Sequence, residues 1–404
     1  MQPSIQTLPT RRFGRTEIHV PVLSLGGMRF QHSWKDLEGD KVSIENQRNI
    51  ENILKFAAQN GFDHIETARH YGTSEMQLGW GMKKVPQVNR IIQTKIPPSR
   101  DPNHFEKELE TSFSKLQSSK IDLLSIHGLN LPEHLEQTLK PDGCLSVLRR
   151  WQNNGLIGHI GFSTHGPTEL IVQAIETGEF DYVNLHWYFI FQDNEPALTA
   201  ASKFDLGVFI ISPTDKGGHL HTPSEKLLEL CAPLHPIVFN DLFCLSDPRV
   251  HTISVGASKV EDFCLHLDSI SLLDKSHFIL PNIYKRLMST ANEELGKEWM
   301  TTWKHGLPSW EHIPGDINVR TLMWLYILYK CWGMEGYVKS RYGLLGNGSH
   351  WFPGSNADDL DSQVSEDELR SVLKASPWVD EIILRLRELR EKFKGEISQR
   401  LVVD

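Results

Sequence analysis

The run Leu123-Leu124-Ser125-Ile126-His127 is a short apolar segment, and a second one, Ile157–Ser163, follows after the longer amphipathic stretch Leu135–Asn153. Apolar runs of this length predict buried strands, and the helical spacing of apolar residues between them predicts a helix. A strand, a crossover helix and a second strand form a βαβ unit, in which the two strands are parallel. The stretch from 123 to 163 therefore predicts part of a parallel sheet.

The same alternation runs through most of the first 275 residues. Eight strands are predicted: Val22–Leu25, His64–Ala68, Ile91–Lys95, Leu123–His127, Ile157–Ser163, Val183–Trp187, Val208–Ser212 and Thr252–Val255. Helices are predicted between them at Ile44–Asn60, Asn103–Leu116, Leu135–Asn153, Pro167–Thr177, Glu195–Lys203 and Val260–Asp268. Eight such units in about 250 residues favour an α/β fold of the closed (β/α)8 TIM barrel type over an open sheet. Because the active site of such a barrel lies at the carboxyl ends of its strands, polar residues at those ends become the functional candidates.

The pattern changes after about Asp274. No alternating strands return, and Trp-rich or Gly/Pro-rich interruptions at 299–314 and 343–354 separate helical stretches. Amphipathic helices are predicted at Glu366–Ala375 and Trp378–Gly395, and in the second of them Arg and Lys neighbour Glu at helical spacing. We therefore predict two domains, a barrel over 1–275 and a mainly helical C-terminal extension over 276–404.

Composition argues against several classes of protein. The 404 residues are 39% hydrophobic and 23% charged, as in an ordinary packed globular protein. A net charge of -9, with Lys and Arg scattered along the chain, argues against nucleic acid as a partner. Five widely spaced cysteines predict buried free thiols rather than disulfides or a metal site. The sequence His219-Leu220-His221 matches no recognised metal-ligand spacing and predicts solvated loop histidines.

Membrane association is not expected either. The segment Met1–Thr10 lacks the charged start and apolar core of a secretory leader, and no later stretch approaches 18 consecutive apolar residues. The expectation is a cytoplasmic protein.

Polar side chains lie where the predicted strands end. Glu66 and Tyr71 come at the second strand, Lys95 ends the third and His127 ends the fourth. An ammonium group lowers the pKa of a nearby phenol, so a Tyr beside a Lys can release a proton near neutral pH. Taken singly, the Tyr fits a rim aromatic, the Lys a surface lysine and the His a core histidine. Their succession at strand ends favours one shared catalytic site.

Five motifs in a fixed order extend this interpretation. They are FGRT at 13–16 with SLGGMR at 24–29, GFDHIETARHYG at 61–72, TK at 94–95, IDLLSIH at 121–127 and GLIGHIGFS at 155–163. With them the sequence resembles the aldo-keto reductase family from Arg11 to about Ile270. The first motif is similar to the N-terminal hairpin and first strand with which that family begins.

The resemblance implies a catalytic tetrad of Asp, Tyr, Lys and His. Tyr71, Lys95 and His127 match it, whereas Glu66 stands at the Asp position and adds one methylene. In the implied reaction a nicotinamide cofactor gives hydride to an aldehyde or ketone while Tyr71 protonates the oxygen and His127 orients it. The alternative is a regulatory or redox-sensing barrel that binds the cofactor with little turnover.

For the cofactor, no G-x-G-x-x-G follows a strand, so a Rossmann site is not predicted. The resemblance instead implies binding at the barrel mouth, with Ser163 and Asn184 at the carboxamide and Lys259 favouring NADP over NAD. The predicted cofactor-binding residues are Gly27, Ser163, Thr164, Asn184, Ser212, Lys216, Gly218, Ser258 and Lys259. Ile211 occupies a position that is often aromatic in the family.

The extension is similar to a C-terminal ferredoxin-like region found in one group of barrel reductases. Residues 296–309 look like its first cluster segment and His350–Leu360 like its second, both without cysteines. Because thiolates hold such clusters and only Cys331 lies in this region, no iron–sulfur cluster is expected. A structural remnant and a Trp-rich docking module for an unknown protein partner remain the two interpretations.

Overall fold

The structure is a computed structural model that describes residues 8–347 and 351–398. The chain divides into two compact units. The first contains 8–217 and 237–276, and the second contains 218–236 and 277–398. The predicted domain boundary between 275 and 276 stays a prediction.

The first unit is built on a closed barrel of eight parallel strands, which confirms the predicted (β/α)8 fold. Its strands are β3 (Leu23–Gly26), β4 (His64–Glu66), β5 (Ile91–Ile96), β6 (Ile121–His127), β7 (Ile157–Ser163), β8 (Tyr182–Leu185), β9 (Gly207–Ile210) and β10 (Thr252–Val255). Neighbours in sequence pair in order, and β10 closes the ring by pairing with both β9 and β3. All eight carboxyl ends therefore meet at one mouth.

A hairpin of β1 (Thr10–Arg12) and β2 (His19–Pro21) precedes the barrel, as the sequence predicted. Phe13 and Val20 of this segment pack against four barrel residues, Ile91, Leu123, Tyr182 and Phe209. Ile91 and Tyr182 begin their strands, so the hairpin covers the amino end of the barrel, opposite the mouth.

Helices follow the strands. In the first unit they are α1 (Ile44–Gln59), α2 (Ser74–Lys84), α3 (Pro102–Leu116), α4 (Pro132–Leu139), α5 (Cys144–Asn153), α6 (Thr168–Glu176), α7 (Glu195–Lys203), α9 (Pro236–Ser246) and α10 (Cys264–Leu272). The sequence missed α2 and α9, and it merged α4 and α5 into one helix. Residues 260–263, predicted as the start of an α-helix, form a 3-10 turn that leads into α10.

The helices of the second unit are α8 (Glu225–Cys231), α11 (Ser276–Leu295), α12 (Lys297–Thr302), α13 (Val319–Trp332), α14 (Glu335–Tyr342), α15 (Glu366–Leu373) and α16 (Val379–Phe393). Both predicted amphipathic helices, α15 and α16, are present. Across the described ranges no single helix is long and apolar enough to cross a bilayer, and one bent pair, α8 with α9, meets that length and composition only in combination.

Two arginines contact aromatic side chains of the segments that resemble the cluster segments of the ferredoxin-like region. The Arg385 guanidinium lies 3.4 Å from the ring centre of buried Trp299, in the first segment. In the second, Arg341 lies 5.9 Å from the ring of Trp351 and 5.8 Å from that of Phe352, while His350 falls outside the described residues. Cation–aromatic contacts of this kind stabilise packing.

The prediction of buried free thiols needs one correction. Cys144, Cys231, Cys244 and Cys331 are buried, but Cys264 is exposed. Cys264 is the first residue of α10. No pattern in the sequence around it indicated that its side chain would be exposed.

Candidate active site

The loop after β4 carries Tyr71 to the mouth of the barrel. Beyond Glu66 the chain continues beside β5, because Thr67 N–H donates to the Gln93 carbonyl at 2.9 Å and Arg69 N–H donates to the Lys95 carbonyl at 2.9 Å. This pairing fixes the start of the loop relative to the strand that bears Lys95. The phenol and the ammonium are thereby brought to the same end of the sheet.

Gly72 allows the chain to turn immediately after Tyr71. Its φ is +52°, a left-handed conformation that side-chain-bearing residues rarely adopt, and a Cβ at this position would overlap the backbone of Ser33 and Trp34. The Tyr71 loop therefore packs directly on the loop after β3. Trp34 of that loop faces Tyr71 edge-on, with 6.4 Å between ring centres. No sequence motif pointed to this Trp.

The four predicted catalytic side chains come together. Lys95 Nζ forms an ion pair with Glu66 Oε1, lies 3.4 Å from Tyr71 Oη and donates to the Thr67 carbonyl at 2.8 Å. The His127 ring lies edge-on to Tyr71, with 5.6 Å between ring centres. The extra methylene of Glu66, compared with Asp, therefore does not prevent contact with the ammonium.

The electrostatics of the site differ from the sequence prediction. Burial raises the pKa of Tyr71 above its ordinary value and lowers that of Lys95. The predicted lowering of the Tyr71 pKa was therefore wrong in direction, because sequence shows a neighbouring ammonium but not the loss of water around the hydroxyl. The Glu66 carboxylate at Nζ opposes the effect of burial on Lys95 by favouring the ammonium. A phenol that stays protonated until reaction suits a proton donor.

The strand register places the predicted carboxamide residues beside this group. His127 pairs with Ser163, and Ser163 pairs with Asn184. Asn184 Oδ1 accepts from Gln93 Nε2 at 3.2 Å, whereas its Nδ2 is buried and has no hydrogen-bond partner among the described residues. A buried amide without a partner fits a site for a polar ligand group such as a carboxamide.

Other predicted cofactor residues have structural contacts of their own. Thr164 Oγ1 donates to the Leu129 carbonyl at 2.7 Å and accepts from Gly166 N–H at 2.9 Å, so this hydroxyl ties two loops together. Gly27 follows β3, and a Cβ there would lie 2.8 Å from the Glu66 carbonyl oxygen. Close backbone packing explains that glycine.

The loop after β9 begins at Ser212, whose φ is +49°. Lys216 N–H donates to the Ser212 carbonyl at 3.0 Å, and Lys216 Nζ lies 3.4 Å from His165 Nδ1. Ile211 is partly exposed just before this turn. Gly218, with a φ of +132°, begins the second unit.

The segment after β10 contains Ser258 and Lys259, both exposed. Their backbone N–H groups donate to Asp262 Oδ2 at 2.8 and 3.2 Å, and Ser258 Oγ donates to the same oxygen at 2.9 Å. The sequence motif pointed to the lysine but not to the aspartate three residues later. The available signal for this contact was a serine followed four residues later by an aspartate.

A buried polar network lies inside the barrel and was not predicted. His64 Nδ1 lies 2.7 Å from Ser24 Oγ, and its Nε2 lies 2.9 Å from Gln93 Oε1. Gln93 Nε2 then reaches Ser125 Oγ at 3.2 Å, which donates to Tyr182 Oη at 2.9 Å. Burial lowers the pKa of His64 to about 4, so its imidazole is neutral at pH 7. The network positions the Gln93 amide against Asn184.

A comparison of the sequence with models of known protein families identifies its family. The model of the aldo/keto reductase family matches residues 22–230, just over half of the chain. The chain belongs to the aldo/keto reductase family. The matched residues include the predicted catalytic and carboxamide positions.

Related proteins are distant. An uncharacterized oxidoreductase of Bacillus subtilis is 20% identical over 287 residues, covering 62% of this chain and 87% of that protein. The D-arabinose 1-dehydrogenase of Saccharomyces cerevisiae is 26% identical over 172 residues, covering 39% of this chain and 46% of the enzyme. The norsolorinic acid reductase of Aspergillus flavus is 25% identical over 202 residues, covering 44% and 49%.

Solved structures of aldo-keto reductases share the fold. One from Pseudomonas aeruginosa has a TM-score of 0.54 at 20% identity, covering 69% of this chain and 100% of its own. Another, from Bacillus halodurans, has a TM-score of 0.54 at 16% identity, covering 69% and 96%. At this level of identity the likeness concerns the barrel alone.

Proposed function

We propose that this protein is an oxidoreductase that uses a nicotinamide dinucleotide to reduce an aldehyde or ketone to an alcohol. The observation that carries the proposal is the meeting of Tyr71 Oη, Lys95 Nζ and the His127 ring at the barrel mouth, with 3.4 Å between the first two atoms. Carbonyl reduction needs a proton donor and a group that orients the oxygen, and this arrangement supplies both.

Each side chain has a distinct part in the proposed reaction. When bound, a nicotinamide cofactor would supply the hydride that the carbonyl carbon receives. Tyr71 gives its hydroxyl proton to the carbonyl oxygen and is left as phenolate. Lys95 stabilises that phenolate as its ammonium neighbour, and Glu66 keeps the ammonium charged in a site where burial disfavours it. His127 donates a hydrogen bond that holds the oxygen near the phenol.

The residues present fit a nicotinamide at this mouth. Asn184 Nδ2, which has no hydrogen-bond partner in the described ranges, would donate to the carboxamide oxygen, and Ser163 lies next to it in register. The loop containing Ser212 and Lys216 would lie along the pyrophosphate, where backbone N–H groups and an ammonium meet negative charge. The segment at 258–259 would lie at the adenosine end, where the sequence predicts a preference for NADP.

Replacement of the phenol tests the proposal. Purified protein mixed with NADPH or NADH and a panel of aldehydes should oxidise the cofactor, as measured at 340 nm. Tyr71→Phe should lower kcat by about 10²- to 10⁴-fold, the usual contribution of a positioned proton donor. Its dissociation constant for the cofactor, measured by tryptophan fluorescence, should change little. Tyr284→Phe, at a residue of the second unit that is 46% exposed, is the matched control.

Two outcomes would speak against it. If Tyr71→Phe is as active as the parent, this phenol is not the proton donor. If the parent binds the cofactor without turnover on any carbonyl, and Glu66→Asp produces turnover, the chain is instead a cofactor-binding barrel whose catalysis is impaired.

A further inference from the structure

The segment after β10 holds a carboxylate where the proposed function puts the adenosine end of the cofactor. One oxygen of Asp262 accepts three hydrogen bonds, from Ser258 N–H at 2.8 Å, Ser258 Oγ at 2.9 Å and Lys259 N–H at 3.2 Å. The 2′-phosphate of NADP, if placed at this segment, would need hydrogen bonds from the same three donors. The Asp262 carboxylate already accepts hydrogen bonds from all three.

Neighbouring contacts hold this turn in shape. Asn49 Nδ2 donates to the Ser258 carbonyl at 2.7 Å, and Asp262 N–H donates to the Lys259 carbonyl at 3.2 Å. The carboxylate is therefore part of a closed turn anchored to α1. A phosphate could reach the three donors only after the carboxylate had moved away and the turn had lost its hydrogen bonds.

Two cations lie near the segment. Lys259 belongs to it, and Arg29 lies beside Gly256, since a Cβ there would be 3.7 Å from the Arg29 Nε. These charges favour any phosphate-containing cofactor, because every nicotinamide dinucleotide carries a pyrophosphate. Only the 2′-phosphate distinguishes NADP from NAD, and only that group would compete with the carboxylate for the same donors.

We propose that Asp262 makes this chain prefer NADH over NADPH. This inference rests on the proposed function and reverses the preference predicted from Lys259. A carboxylate at the adenosine ribose accepts a hydrogen bond from a free 2′-hydroxyl, and Asp or Glu performs this role in NAD-binding Rossmann folds. Against a 2′-phosphate the same carboxylate is a like charge at contact distance, which is a common source of discrimination between ligands.

The test compares the affinities of the full-length protein for the two cofactors. Tryptophan fluorescence titrations should give an NADH dissociation constant about tenfold or more below that for NADPH, since a difference of about 1.4 kcal/mol corresponds to a factor of ten. Asp262→Asn should tighten NADPH binding by about the same factor and leave NADH binding unchanged or weaker. In 0.5 M salt the parent's preference should shrink, because exposed charges are screened.

Asp101→Asn is the matched control, because Asp101 also caps a turn with its carboxylate, accepting from Asn103 N–H at 2.9 Å at the start of α3. It should leave the ratio of the two affinities unchanged. Tighter binding of NADPH than of NADH by the parent would overturn the inference whether or not the Asp262 variant folds. An unchanged ratio in a folded Asp262→Asn protein would overturn it too. Failure to bind either cofactor would instead refute the proposed function.

Discussion

Glu66→Gln should destabilise the barrel by several kcal/mol. The side chains of Lys95 and Glu66 are only 2% and 5% exposed, and besides Glu66 the ammonium has the Thr67 carbonyl as a hydrogen-bond acceptor, at 2.8 Å. Removing the carboxylate charge leaves a buried cation without its counter-charge, and breaking buried pairs typically costs about 3–5 kcal/mol.

The protonation equilibrium of Lys95 sets an upper limit on that cost. The variant can relieve the buried charge by releasing the Lys95 proton, whose pKa in an unfolded chain is near 10.5. Deprotonation at pH 7 then costs about 5 kcal/mol, at roughly 1.36 kcal/mol for each pH unit below that value. At pH 9 the limit falls to about 2 kcal/mol. Because the unfolded chain binds the additional proton, the stability of the variant rises with pH over this range.

Urea unfolding followed by circular dichroism measures the effect at pH 7 and pH 9. The matched control is Glu38→Gln, which breaks an exposed pair with Lys41, with side chains 78% and 60% exposed. Exposed pairs contribute at most about 1 kcal/mol, so that change should be small at both pH values. A cost below about 1 kcal/mol for Glu66→Gln at pH 7, or a cost as large at pH 9 as at pH 7, would refute the reasoning.

Two further predictions concern the loop and the interior. Gly72→Ala should reduce turnover at least tenfold, because a Cβ would overlap the backbone of Ser33 and displace Tyr71. Steady-state kinetics measure this loss, and a kcat equal to that of the wild type would contradict the prediction. Stability should fall as the pH drops from about 6.5 to about 4, because His64 has a folded pKa of about 4 and protonates first in the unfolded chain. The full effect is about 3 kcal/mol, so His64→Gln should flatten the pH dependence of the urea midpoint, and an unchanged slope would exclude His64 as its source.

The barrel was predictable because its strands are short apolar runs at regular spacing, and parallel strands buried on both faces need such runs. The helices that were missed depend on packing rather than on local preference. In α2, Gly79 and Gly81 lower the intrinsic helix propensity. Their lack of side chains lets the helix approach the Lys115 carbonyl and the Leu54 side chain, where a Cβ would clash. Tertiary contacts that no local pattern reveals therefore decide this helix.

The division between α4 and α5 has a local cause that was present in the sequence. Pro141 and Gly143 lie between the two helices, and a Cβ at Gly143 would lie 2.6 Å from the Gln137 carbonyl oxygen. The apolar periodicity continues across the break, which is why one long helix was predicted. α9 was missed for a different reason, because its apolar residues run together without a helical period and suit a strand equally well.

For the candidate site, the sequence predicted which side chains come together but not how burial shifts their pKa values. Tyr71, Lys95, Glu66 and His127 come together because parallel strands end at one mouth. The direction of the Tyr71 pKa depends on how much water the fold removes, which strand order does not reveal. Likewise Lys259 suggests a phosphate site until the position of the Asp262 carboxylate is known.

The interior network gives Asn184 its significance. Buried polar groups are nearly always hydrogen-bonded, and within the described residues the atoms of Ser24, His64, Gln93 and Ser125 have partners inside the barrel. Gln93 also holds Asn184 Oδ1, which fixes the plane of that amide and leaves Nδ2 buried with no acceptor among the residues that the structure describes. Within the described part of the chain this one buried donor is left without a hydrogen bond, which carries a cost in the folded protein. That cost is recovered if a ligand brings the missing acceptor, as a carboxamide oxygen at the barrel mouth would.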